Sequence, residues 1–284
     1  TNKVWNIGRF IISYMVAGSS HLGSEKSNST RATSLADSWI LSRLSTVTQS
    51  VTDKLEHYEF SSAGEELRDF TWNDLADWYL EVTKIESVSD EDKAEKSKIL
   101  NYALNIILKL WHPYMPYVTE AIWKETYGTE KLLMVEKWPS IDDQEPQAGY
   151  EHGREPFVEV GTLQSVITGI RSLRNDYKIE AGKQIAAILI CDKEQALLDE
   201  NAHIIRGLAR IGSLTITNDI SDKPAQTAGV VVGGIAIYIN LEGAIDTEKE
   251  RERLEKEIAH VRPYAVAQEK KLANKNFTDN APKE

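Results

Sequence analysis

Trp5, Asn6, Arg9 and Phe10 stand close together near the start of the chain. They join apolar ring faces to an amide and a guanidinium. Single-stranded nucleic acid is read by stacking on aromatic or Arg planes and by hydrogen bonds to base edges. Asn6 and Arg9 are therefore candidates for base or phosphate contacts, and Phe10 fits a core position equally well. The polar loop from His21 to Arg31 follows. Its Lys26 and Arg31 could meet phosphate, with a plain linker as the competing reading. Farther along, Arg171, Arg174 and Lys178 fall on one stripe of an expected helix, either a solvated face or a phosphate contact. Arg251, Lys256, Lys270 and Lys271 add a basic edge to the last helix.

Other chemistry is weaker. Asp74 and Asp77, three apart on a helix, resemble a paired-carboxylate site. No His or further acid stands nearby to complete one, so a cap or salt-bridge role is expected. Trp39, Trp72, Trp78, Trp111 and Trp123 sit at helical spacing among Leu and Ile, which suits core or helix-contact positions. Cys191 is the one cysteine. It can make no internal disulfide and no cysteine zinc site, and a reducing cytosol fits. The net charge of −11 counts against a generic nucleic-acid binder, so local patches would have to meet phosphate. No apolar run approaches the ~20 residues of a membrane span, and the N-terminus lacks a signal-peptide pattern.

The elements that must position these residues read as mainly α. Helical spacing runs from Val4 to Val16, from Ser34 to Tyr58, from Phe60 to Ile85, from about Val88 to Leu110, and on to Tyr127. Ser61 or Ser62 is the expected cap of the third helix, and His112-Pro113 ends or kinks the fourth. Antiparallel helices with short loops make an α-bundle, assigned to residues 1–148. A Pro/Gly/acid-rich linker near Ile141 leads into a small α+β unit, residues 149–243. Within it, Phe157–Tyr177 and Glu194–Leu208 read as helices, and Gln184–Cys191, Ser213–Thr217 and Gly229–Asn240 as strands. Gly233-Gly234 marks a turn or bulge in the last. Residues 244–284 read as a coiled-coil-type helix with Leu254, Ile258, Val261, Ala265, Gln268 and Leu272 as its seam. Pro263 removes a helical hydrogen bond at a cost of ~3 kcal/mol, so a kink or break is expected over residues 259–263. The seam lacks an intramolecular partner, which suggests a piece of a longer protein.

Several stretches carry a family resemblance. Leu241-Glu242-Gly243, Asp246, Arg253–Glu257, Leu272–Phe277 and Ala281-Pro282 are similar to the start of the C-terminal arm of valyl-tRNA synthetases. Asn2–Phe10, Leu35–Leu44, Glu59–Lys84 and Ile107–Glu125 resemble the anticodon-binding helical domain shared by class I synthetases for valine, isoleucine and leucine. Leu133–Pro139 resembles the segment that closes that domain. The match runs through essentially the whole chain in order. The arm favours valine; isoleucine enzymes commonly end in a cysteine zinc site that Cys191 alone cannot supply.

The resemblance implies a tRNA partner, with Trp5, Asn6, Arg9 and Phe10 against the anticodon loop and the arm at the outer corner of the tRNA. His21–Ser24 and Glu25–Ser27 only graze the two class I catalytic signatures and follow no nucleotide-binding strand. The expectation is thus a non-catalytic tRNA-binding fragment without catalytic, metal or cofactor site and without DNA or membrane partner, cytoplasmic. ATP, Mg and the catalytic and editing domains would belong to a parent enzyme. The rivals are the same module from an isoleucyl or leucyl enzyme, and a helical adaptor that binds protein and no RNA. Trp5, Asn6 and Arg9 on the exposed face of the first helix would favour RNA; Arg9 buried against acidic side chains would favour the adaptor.

Overall fold

A computed structural model describes residues 2–18, 32–140, 155–219, 226–242 and 247–273. Its first part is an antiparallel helical bundle: α1 (Asn2–Gly18), α2 (Leu35–Glu56), α3 (Phe60–Asp69), α4 (Leu80–Glu86), α5 (Asp90–Trp111) and α6 (Pro116–Tyr127). Ser34 starts α2 with a capping box, its hydroxyl accepting from the Asp37 N–H while Asp37 answers the Ser34 N–H. Ser89 and Asp92 repeat the device at α5. The fourth expected helix ends at Trp111, and Pro116 opens α6 at a position where its missing N–H costs nothing.

The expected cap at Ser61 or Ser62 is not found. Tyr58 takes the left-handed conformation (φ 63°). The Tyr58 N–H then reaches the Leu55 carbonyl at 3.1 Å, and the Glu59 N–H reaches that of Lys54 at 2.8 Å. This Schellman closure lets the next helix begin at once at Phe60, with Glu59 before it and no side-chain cap. Both serines fall inside the first turn.

The helix from Phe60 to Glu86 is unbroken, but its middle, Phe70–Tyr79, winds as a π-helix. Phe70, Leu75 and Tyr79 are wholly buried at spacings of five and four, which a π turn places on one face. The wider turn also separates the two carboxylates. Asp74 meets Arg43 Nε of α2 at 2.8 Å, and Asp77 meets Lys3 Nζ of α1 at 2.9 Å. Both make the salt bridges expected of them, with different neighbours. Trp39, Trp111 and Trp123 are buried, and Trp72 and Trp78 pack half-buried against the core.

The second part has a four-stranded sheet ordered β2-β1-β4-β3. Its strands are β1 (Ile185–Ile190), β2 (Ile211–Thr217), β3 (Thr227–Val232) and β4 (Ile235–Asn240). β1 and β2 are parallel, so they need a crossover, which α8 (Gln195–Glu200) and α9 (Ala202–Ala209) provide. One helix was expected there. It breaks at buried Asn201, whose Nδ2 donates to the Leu197 carbonyl at 2.8 Å. β3 and β4 form a hairpin across Gly233-Gly234, at φ 57° and 86°, a turn that needs two positive φ values. α7 (Pro156–Asp176) packs on the sheet and also on α2, while α9 packs on α4.

α10 (Thr247–Ala273) ends the described chain. It runs continuously through Pro263, so the expected break is absent. The ring still deletes the bond to the carbonyl four residues back. No described helix is long and apolar enough to cross a membrane.

Candidate nucleic-acid interface

α1 buries Val4, Ile7, Ile11 and Met15 at spacings of three and four, which rolls the opposite stripe outward. Asn2, Asn6, Arg9, Ser13 and Val16 lie on that exposed stripe. Asn6 and Arg9 make no side-chain hydrogen bond or ion pair among the described residues. Trp5 and Phe10 flank them, half-buried and packed against the core. Each thus shows one edge to solvent and braces the helix with the other. Tyr14 fixes the far end of α1 through a short hydrogen bond with Ser87.

Lys84 of α4 escaped the sequence reading. Its Nζ stands 5.2 Å from the centre of the Phe10 ring while pairing with Glu81 at 2.5 Å. It places a cation over the ring of Phe10, the residue next to Arg9 in sequence. Only the tertiary contact between α1 and α4 brings it there, and no spacing could have revealed it. Lys26 and Arg31 lie outside the described residues.

The connector arginines differ from one another. Arg174 is buried and donates to the Arg210, Glu180 and Lys183 carbonyls at 3.3, 3.0 and 2.8 Å. Burial, and then nearby Arg210, depress its pKa. It stitches α7 to the turn before β1 and to the end of α9, so it presents no free guanidinium to a ligand. Arg171 is exposed, donating to the Leu208 carbonyl at 3.0 Å with its guanidinium 5.5 Å from the Trp78 ring centre. Lys178 is exposed but lies past the end of α7 in the left-handed region (φ 49°), off the expected stripe. On α10, Arg251, Lys256 and Lys270 are exposed, and Arg251 pairs with Glu255 at 3.6 Å. The side chains of Lys271, Leu254 and Leu272 lie outside the described set. Of the seam, Ile258, Val261 and Ala265 are exposed and Gln268 is half-buried.

Behind the interface lies an ionic cluster that sequence reasoning missed. Lys96 Nζ stands 2.5 Å from Asp37 Oδ1 and 3.0 Å from Ser34 Oγ, and it also bonds Glu86. The Tyr79 hydroxyl donates to Asp37 at 2.8 Å. Burial alone would lower the Lys96 pKa, but Asp37 and Glu86 together hold it above the ordinary value. Burial would likewise raise the Glu86 pKa, and His203, Lys96 and Ser34 hold it below the usual range. His203 Nε2 is 3.9 Å from Glu86 Oε1, a Coulombic rather than a hydrogen-bonding distance. The cluster ties α2, α4, α5 and α9 together. Among the described residues no group of His, Cys, Asp and Glu could hold a metal ion.

Known proteins carry the same sequence pattern. A family model described as the anticodon-binding domain of tRNA ligase matches residues 37–190. A second, the valyl tRNA synthetase tRNA binding arm, matches residues 246–284. The valine–tRNA ligase of Staphylococcus carnosus is 33% identical over 287 residues, an alignment that covers 99% of this chain and 31% of that protein. That of Bacillus cereus (strain ATCC 10987) is 31% identical over 285 residues, with the same coverage. That of Listeria innocua is 33% identical over 287 residues. The chain thus spans about a third of the length of these relatives. With more than half of its residues matched by the first model, the chain belongs to the family of anticodon-binding domains of tRNA ligases.

Proposed function

We propose that this chain is the tRNA-holding part of a valine–tRNA ligase, recognising the anticodon side of valine tRNA. The observation that carries the reading is the unpaired Asn6–Arg9 stripe, flanked by Trp5 and Phe10, on the first helix of an anticodon-binding bundle. An exposed Arg9 with no acidic partner among the described residues favours RNA over a protein-binding adaptor. Arg donors on phosphate or base edges give charge-assisted bonds, and half-exposed rings supply a stacking surface. Lys84, Arg171, Lys178 and the α10 cations extend the electrostatic footprint. Valine rather than isoleucine or leucine as the cognate amino acid rests on the arm match and on the three relatives. ATP, Mg and the transfer of valine belong, in this reading, to other parts of the parent enzyme.

Fluorescence anisotropy with a labelled valine tRNA transcript tests this at two salt concentrations, roughly 50 and 200 mM. Saturable binding that weakens with salt is expected. Absence of binding at the lower salt refutes the reading.

A further inference from the structure

Gly207 sits inside α9 with ordinary helical backbone, where glycine costs up to about 1 kcal/mol relative to alanine. No turn requires it. Its surroundings suit it: a Cβ there would lie 2.5 Å from Ile85 Cδ1, the end of a flexible side chain, and 3.0 Å from Ile85 Cγ1. The glycine lets α9 of the second part lie on α4 of the bundle with the Ile85 side chain undisplaced. One residue on, Glu86 faces His203 of α9 at 3.9 Å and is itself held by buried Lys96. At the other end of the same seam, Arg171 of α7 lies over Trp78 while donating to the Leu208 carbonyl, which ties α7, α9 and the bundle at one point. Trp78 and Ile85 are on the order of 10 Å apart along one helix. Two contacts at that spacing resist pivoting as one contact would not. Beside Trp78 the seam holds a cavity lined mostly by apolar side chains, Trp39 of α2 and Leu163 of α7 among them.

We infer that this seam is a rigid joint that fixes the distance between two RNA-contacting surfaces, with Gly207 and Ile85 as its positioning residues. The inference rests on the proposed tRNA-binding reading. The α1 stripe lies on one side of the joint. On the other lie exposed Lys178 and β4, the strand that precedes the α10 arm in the chain. When two surfaces grip one ligand, the second contact is intramolecular, and its gain depends on geometry that lets both engage at once. A fixed joint keeps that geometry without an ordering cost at the moment of binding.

The test compares two RNAs, a complete valine tRNA transcript and its isolated anticodon stem-loop, titrated against the whole chain by anisotropy. Gly207→Leu forces the helices apart while improving local helix propensity, so α9 itself should survive. Ile85→Arg disturbs the same contact from the other side. Each variant should lose about tenfold or more in affinity for the complete tRNA and keep wild-type affinity for the stem-loop. Adding Ile85→Ala to Gly207→Leu should restore most of the loss by making room. Unchanged affinity for the complete tRNA in both variants would overturn the joint, as would equal losses on the two RNAs. A wild-type chain that binds neither RNA would instead overturn the tRNA reading, and the joint's role with it.

Discussion

Lys96 and Asp37, fifty-nine residues apart in sequence, face each other at 2.5 Å with side chains only 3% and 0% exposed. Glu86 closes the triad on the other side of the ammonium. A buried charge that loses its partner is costlier than the pair was useful. Lys96→Met should therefore destabilise the chain by about 3–5 kcal/mol in urea unfolding. A loss under about 1 kcal/mol would mean that the two carboxylates reach water or take up protons easily.

The same triad sets a pH window. The Glu86 carboxyl is held below its ordinary range, so its contribution is present above the unfolded carboxylate pKa and fades as pH falls through the lowered value. The Lys96 ammonium is held above its ordinary value, so its contribution is complete below that value and fades as pH climbs through the raised one. Burial also pushes the Tyr79 phenol well above its usual range, which adds to the alkaline loss. Urea midpoints should form a plateau from about pH 5 to 10 and fall on both sides. Glu86→Gln should shallow the acid limb; an unchanged acid limb would assign it to other carboxylates.

Arg9 and Arg174 should separate binding from stability. Arg9 is exposed and unpaired among the described residues, so Arg9→Ala should leave stability within about 0.5 kcal/mol and weaken tRNA binding by about 1–3 kcal/mol. Arg174 serves three carbonyls. Arg174→Ala should cost about 2–4 kcal/mol of stability while the folded fraction binds tRNA as before. The reverse pattern would exchange the two roles.

Much of this was legible in the chain. The periodic burial of Val4, Ile7 and Ile11 is a local pattern that helical spacing predicts, whereas the equally local Ser34–Asp37 cap went unread. The exposed stripe with Asn6 and Arg9 follows from the same periodicity. Other features depend on distant contacts. Lys96 looks like one more lysine in an acidic stretch until Asp37 and Glu86 surround it. Arg171 and Arg174 share a sequence motif, and only the position of the Arg210, Glu180 and Lys183 carbonyls makes one structural. The π winding of Phe70–Tyr79 hides in sequence because its apolar spacing also passes for an ordinary helix. The break at Asn201 was missed for a related reason: asparagine inside a helical pattern reads as neutral until its side chain takes a backbone carbonyl.

α10 makes a prediction of its own. Ile258, Val261 and Tyr264 are 53%, 52% and 68% exposed, and Pro263 lies among them. An isolated helix in water is marginal without a packed face. In a dilute, demonstrably monomeric sample, amides from Tyr264 to Leu272 should exchange far faster than those of α5. Strong protection there would mean that the helix docks on its own body.

The proposed function is recognition of valine tRNA through its anticodon side. Its most direct test exchanges anticodons between valine and isoleucine tRNA transcripts and measures affinity for this chain at one moderate salt concentration. Tight binding should follow the valine anticodon into the isoleucine body, and valine tRNA with the isoleucine anticodon should bind several-fold more weakly. Equal affinity for all four RNAs would contradict the account, leaving only general attraction to phosphate.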